Sequence, residues 1–323
     1  MIVDTVDHQT VRAAVELGSH APSVHNSQPW RWRLGRRSLL LQADLRRWLP
    51  ATDADGRDLV VSCGAALHHT RVALAASGVH AVVHRIPDPD RPDDLAALEL
   101  SLHRPADAEV QLAAAILRRR TDRRRYSTWE VPDAMRAALV QRAAQQGALL
   151  QVVTGGARRK LEATLRDAAA TQDDTPAYQT ETAVWSGVES GNYGIPAANL
   201  LAAAPDPAHA RRFTPGRIRE EPSTKPDGAL YAVIGTASDD TLSQLRAGEA
   251  MSAVILHANL LGLASCPLSQ VLEVGDTRRT LRDDVLDGAM APQLVLRLGF
   301  APSTPLPATP RRPITEFLYT ETD

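Results

Sequence analysis

Hydrophobic and polar positions alternate along this chain with two periods, and the switches between them mark the elements. Residues 9–18 (QTVRAAVELG) carry apolar positions at helical spacing and stop at Gly18. The short runs RWRL and SLLLQAD, separated by Gly35, read as strands. After the turn-rich ATDADGR, residues 58–77 form a long helix that is apolar on every face and ends at Gly78. Such a helix belongs inside a core. HAVVHRI and LAALELSL read as strands joined through the Pro/Asp-rich PDPDRPDD.

The pattern then starts again. Helices are predicted at 108–118 and 133–145, a strand at GALLQVV, and helices at 157–170 and 177–186. Periodicity fails over 187–227, which is rich in Gly, Pro and Ala and reads as a lid or binding loop. It resumes with strand LYAVIGTA, an apolar helix at 239–261, a turn around SCPLSQ, a helix at 277–286 and strand PQLVLRLGF. The tail APSTPLPATPRRPITEF is expected to run extended over the surface.

The two long apolar helices share a frame. Gly64-Ala65-Ala66-Leu67 leads to Gly78, Gly248-Glu249-Ala250-Met251 leads to Gly262, and each glycine pair is 14 residues apart. VDHQTVRAAVELG and VPDAMRAALVQRAA also match, as amphipathic helices that each precede a strand. A divergent duplication accounts for both matches, with halves at 1–106 and 107–323.

The 323 residues, 44% hydrophobic and 23% charged, support a large core. A net charge of −2 and a pI near 6.6 give no whole-molecule field for nucleic acid or an anionic membrane, so any anion site is local. No window reaches the ~18 uninterrupted apolar residues of a membrane span. The opening MIVDTVDHQT lacks a basic stretch followed by an apolar one, so a cytoplasmic location is expected. Cys63 and Cys266 form no CxxC and read as buried small side chains. His20 with His25, and His68 with His69, join no Cys, Asp or Glu at a ligand spacing, so no metal is expected. Asp53-Ala54-Asp55-Gly56 reads as a turn, because its glycine comes too early for a calcium loop. No GxGxxG or P-loop is present.

Two segments carry chemistry. RRRTDRRR at 118–125 reads either as a solvated face or as an anion cradle, since guanidinium groups bind phosphate through paired charge-assisted N–H donors. Arginine makes up 34 of the 36 basic residues, so its count alone is weak evidence. The other segment is PSVHNSQPW at 22–30. Within it Trp30, with Trp32 two residues on, falls on one face of a strand and is assigned to the core.

With GLASCPLSQ at 262–270 and the pair Arg311-Arg312, these segments resemble the FMN-dependent nitroreductase family. That family's flavin loop has the form PSxxNxQPW, and its phosphate motif is an Arg-Arg-Ser-x-Arg stretch. The resemblance runs in order over most of the chain. It implies an α+β nitroreductase-like fold: two fused, unequal halves with central helices flanked by antiparallel-rich sheets. It also implies FMN as cofactor, bound by Pro22, Ser23, Val24 and Asn26, with Asn26 on the pyrimidine edge. The phosphate falls to Arg119, Arg120, Thr121, Arg123 and one of Arg311 or Arg312. Residues 267–270, through Pro267, Ser269 and Gln270, would offer a backbone N–H toward flavin N5, although Gln270 stands where the family often has glycine. No side chain is singled out as a general acid or base.

Each half keeps the motif that the other lacks. PSVHNSQPW lies in the first and RRTDR in the second, where only QQGALL stands in place of the flavin loop. One complete site is therefore expected, and its asymmetry and lid resemble the Acg-type nitroreductase-like group. Two functions follow from the resemblance. One is NAD(P)H-dependent reduction of nitroaromatic or quinone-like acceptors. The other is storage of FMN beneath the lid, with Tyr193 and Phe213 as apolar contacts. Both a monomer and a homodimer are compatible with the fusion.

Overall fold

The structure is a computed structural model that describes residues 6–189, 191–220 and 226–320. The reading of residues 1–5, and the parts of the lid at 190 and 221–225, lie outside the described residues. The chain runs α1 (His8–Gly18), β1 (Trp30–Leu34), β2 (Ser38–Ala43), α2 (Arg57–Ala76), β3 (Val79–Arg85) and β4 (Asp94–Leu102), then α3 (Asp107–Arg118). It continues through α4 (Asp133–Ala144), β5 (Leu149–Val153), α5 (Gly155–Asp173) and α6 (Pro176–Trp185) to the short pair β6 (Ser186–Val188) and β7 (Ile195–Pro196). The remainder is β8 (Leu230–Thr236), α7 (Thr241–Leu260), β9 (Ala264–Leu268), α8 (Gln270–Glu273), α9 (Gly275–Thr280), β10 (Ala291–Gly299) and β11 (Leu318–Thr320).

Local chemistry sets the helix ends. Asp7 accepts the Gln9 and Thr10 amides ahead of α1, and Asp240 accepts the Ser243 amide ahead of α7. Before α2, Gly56 takes a φ of 74°, and the Asp53 carboxylate accepts the amides of Asp58 and Leu59 at 2.9 Å each. By length and apolarity α2 could cross a membrane, yet most of it is buried in the core.

The two sheets repeat one order. The first is β11-β1-β2-β4-β3 and the second is β5-β8-β10-β9, so β1, β2, β4 and β3 stand where β5, β8, β10 and β9 stand. Every pairing in both sheets is antiparallel except β11 on β1. Between them α2 and α7 cross backbone to backbone. A Cβ on Gly64 would lie 2.1 Å from the Leu245 carbonyl oxygen, and one on Gly248 would lie 2.0 Å from that of Val61. Each glycine thus receives the carbonyl one turn ahead of the other, as in an isologous two-fold contact.

Two expectations are corrected. SCPLSQ is not a turn: β9 ladders onto β10, pairing Leu268 with Val295 and Cys266 with Arg297. Pro267 is tolerated because β9 is an edge strand, where a missing donor goes unnoticed. The tail also does more than run over the surface. It returns to the first sheet, buries Phe317 completely and adds β11 alongside β1, with Leu318 opposite Trp32.

Candidate functional site

The loop 22–30 is the most contorted stretch of the chain. His25, Asn26 and Gln28 have φ values of 47°, 57° and 53°, a left-handed region that non-glycine residues rarely enter. The contortion is held by Gln28, whose amide N–H donates to Ser23 Oγ at 2.9 Å. Its side chain donates to the Asn192 carbonyl in the lid at 2.8 Å and accepts the Arg312 amide at 2.9 Å. Nearby, the Val24 amide donates to Ser62 Oγ on α2 at 3.1 Å.

Two adjoining cavities open beside this loop. Pro22, Ser23, Thr121 and Arg123 line both. Val24, Pro267, Ser269 and Gln270 line the first, and Asn26, Arg119, Arg120 and Arg311 line the second. Loop 22–30 of the first half, the 118–125 segment of the second and the tail therefore converge on one place.

Arg312 does not join them. It is buried against β1, donating to the carbonyls of Gln28 at 3.0 Å, Trp30 at 3.3 Å and Glu316 at 2.9 Å, with its guanidinium over the Phe317 ring. On the extended tail, successive side chains point to opposite sides, so only one of the pair can face the cavity. Asn26 is also recast. It sits among the arginines, with its amide donating to the carbonyls of Gly194 and Pro310 and its Oδ1 accepting from Arg311 at 3.0 Å. A carboxamide so occupied clamps lid and tail together and has no donor left for a pyrimidine edge. Of the two lid aromatics, Phe213 lines the first cavity, edge-on to His25 at 5.4 Å and beneath Arg123. Tyr193 instead packs on Trp185, half-exposed and away from both cavities, because Arg47 holds the two rings together. Gln270 turns its side chain toward α5, donating to Gln172 at 2.8 Å.

The second cavity is strongly cationic. Among the described residues, no carboxylate lies within ion-pair distance of Arg119, Arg120, Arg123 or Arg311. Arg119 Nε and Nη1 and Arg120 Nε are buried without a partner. Burial, with Arg119 and Arg120 beside it, pushes the Arg311 guanidinium down to about 9. Burial and then Arg120 push Arg119 to about 10. His20 in the same cavity is driven to about 4 by burial and by Arg311, Arg119 and Arg120. The unpartnered donors of Arg119 and Arg120, with the Arg311 charge fixed beside them by backbone carbonyls and Asn26, fit a phosphate dianion.

Sequence reasoning overlooked the floor of the first cavity. His25, Asp58, Ser62 and Arg211 line it, and Glu273 on α8 binds Arg211 from behind. His25 is buried with neither ring nitrogen partnered. The only signal for it was its place inside the PSVHNSQPW loop; Asp58, at the start of the long apolar helix, carried none.

A different cluster stands at the position the repeated helix frame matches to this site. The register that lays Gly64 on Gly248 and Gly78 on Gly262 lays Arg85 on Ser269. Arg85 donates there to the fully buried Glu249 at 2.6 and 2.9 Å, and Arg71 joins at 2.7 Å. Arg71 also binds Gln146, which belongs to the QQGALL segment.

The chain is 42% identical over 315 residues to "Putative NAD(P)H nitroreductase Rv3131" of Mycobacterium tuberculosis, covering 96% of this chain and 91% of that one. To "Putative NAD(P)H nitroreductase acg" of the same organism it is 35% identical over 327 residues, covering 97% and 96%. Among solved structures, the FMN-dependent nitroreductase NfnB from Mycobacterium smegmatis, in complex with NADPH, aligns at 18% identity over 64% of this chain and 96% of that chain, with a TM-score of 0.42. No family model matches. Paired central helices between two antiparallel-rich sheets define a nitroreductase-like α+β protein. Within that class, the chain belongs to the NAD(P)H nitroreductase family that includes Acg.

Proposed function

We propose that this protein binds one FMN per chain and uses it to reduce nitroaromatic or quinone-like acceptors with NAD(P)H. The carrying observation is the group of arginines without carboxylates in the second cavity, continuous with a less cationic first cavity. Arg119, Arg120, Thr121, Arg123 and Arg311 would hold the phosphate. Pro22, Ser23, Val24, Pro267, Ser269 and Gln270 would flank the ring system, with Asn26 fixing Arg311. When bound, FMN supplies hydride transfer between a nicotinamide donor and a second acceptor. We assign the halves to 1–106 and 107–323; the repeated strand order and the Glu249 ion-pair cluster at the matching second position support one site per chain, complete in a monomer.

Purified protein is expected to be yellow and to release FMN, not FAD, at one equivalent per chain. Anaerobic titration with NADPH and NADH, followed through flavin absorbance, is expected to bleach it. A stoichiometry near two would refute the single site, and an unchanged spectrum with both donors would refute the reductase reading.

Storage remains the second reading because the lid is fastened from within. Arg211, itself a lid residue, is buried and ion-paired with Glu273, and also binds Ser269 Oγ and Tyr178. Removing Arg211 alone would strand a buried carboxylate, so Arg211→Ala is best paired with Glu273→Gln. Losing charged hydrogen bonds worth about 1.5–3 kcal/mol is expected to speed FMN release by roughly 10–100-fold. Dilution into excess apo-acceptor with fluorescence detection reads this rate; an unchanged rate would show that the lid does not govern release.

A further inference from the structure

The first cavity holds a carboxyl group in an unusual state. Asp58, in the first turn of α2, is buried and lines the cavity, near the buried Glu273 carboxyl of α8. Two neighbouring buried carboxyl groups do not both ionise without a large cost. Glu273 is the ionised member, because it accepts four donors: Arg211 through both Nη atoms, Ser269 Oγ at 2.7 Å and Gln172 Nε2 at 2.5 Å. Asp58 has no such support. Among the described residues no N–H or O–H donates to its side chain, and its Oδ2 is enclosed without a partner. A buried carboxylate left so would be very costly, whereas a neutral acid is not.

The surroundings act in the same sense. Burial, then Asp53 from the loop before α2, then Glu273 from α8 hold the Asp58 carboxyl well above the usual range, with Arg211 from the lid opposing them. Asp53 is itself pushed up to about 7 by burial, despite the two amides it caps. Across the cavity, His25 is kept neutral by burial with Arg211 and Arg123 nearby, so it does not compete as an acid.

We propose that Asp58 is the proton donor of the site, delivering the proton that must accompany hydride when an acceptor is reduced in the first cavity. This rests on the reductase reading given above. With a quinone, hydride from the nicotinamide donor brings one hydrogen nucleus and both electrons. The Asp58 O–H bond breaks as a new O–H bond forms on the acceptor oxygen, giving hydroquinone and a carboxylate. Beside ionised Glu273, that carboxylate is strongly disfavoured and recovers its proton from solvent.

Two measurements on the holoprotein test it. NMR of protein labelled at the aspartate carboxyl carbons is expected to show, beside an Asp53 signal titrating near 7, one signal fully protonated at neutral pH, lost in Asp58→Asn and kept in Asp53→Asn. An ionised Asp58 overturns the proposal irrespective of turnover. In stopped flow, chemically reduced protein is mixed with p-benzoquinone. Asp58→Asn, which keeps the shape but cannot release a proton, is expected to reoxidise roughly 10²-fold or more slowly, and without the alkaline fall seen in wild type. If wild type turns over and Asp58→Asn matches it, the donor assignment alone fails. If wild type neither accepts hydride from NAD(P)H nor passes electrons to the quinone, the reductase reading fails and the assignment with it.

Discussion

Alanine at Arg119 is expected to give an apo-protein more stable than wild-type apo-protein, yet unable to keep FMN. The two effects have one cause. Without an anion, the second cavity confines several guanidinium groups away from water and from any carboxylate, Arg119 holds two buried donors without a partner, and burial drives its pKa down. Its charge opposes folding until a dianion arrives, when the same donors become the binding energy. Charge-assisted hydrogen bonds contribute about 1.5–3 kcal/mol each, so loss of two donors weakens FMN by roughly 10²–10⁴-fold.

The pH dependence has a definite sign. A basic group whose pKa is lowered by folding binds fewer protons in the folded than in the unfolded chain once pH passes the folded value. Stability of the wild-type apo-protein should therefore rise as pH climbs above about 9, where Arg311 and then Arg119 begin to shed protons. FMN affinity should fall over the same window, and Arg119→Ala should show both trends weakened. Thermal melts of stripped protein at pH 7 and 9.5, with and without FMN, test this. A variant apo-protein less stable than wild type at pH 7 would mean that Arg119 holds the fold rather than the ligand.

Much of this arrangement was legible in the sequence because its signals are local. The two central helices are apolar on every face, so their extents could be read from composition, and β1 and β3 alternate cleanly. PSVHNSQPW and RRTDR announced themselves as strings. What escaped depends on partners distant in the chain. β11 is three residues after a run of prolines, with no pattern of its own until β1 offers an edge. Arg311 and Arg312 are indistinguishable in sequence, and the direction of an extended backbone decides between them. Arg211 lies in a stretch without periodicity, and Glu273 gives it meaning only after the lid folds onto α8. Asn26 belonged to the right motif, yet its amide was already spent on the lid and tail.

The paired glycines, first noticed as a spacing, turn out to carry the geometry of the site. Gly64→Ala or Gly248→Ala is expected to be severely damaging. At Gly248 the new Cβ would meet the Val61 oxygen at 2.0 Å and the Gly64 Cα at 2.8 Å; at Gly64 it would meet the Leu245 oxygen at 2.1 Å and the Gly248 Cα at 3.0 Å. These obstacles are backbone, so no rotamer change relieves them and the helices must separate. Overpacking that side chains can absorb costs about 1–3 kcal/mol; a backbone clash at the central crossing should exceed ~4 kcal/mol, a large part of an ordinary domain's stability. The site is drawn apart as well, since α2 supplies Val61 and Ser62 to the first cavity and α7 supplies Met251. Gly262→Ala is the control: its φ of 76° carries about 1 kcal/mol of strain, but nothing lies within 4 Å of the added carbon. Urea unfolding and FMN content of the three variants separate close approach from backbone strain. If Gly248→Ala behaves like Gly262→Ala, the helices tolerate a wider crossing and the site does not depend on their contact.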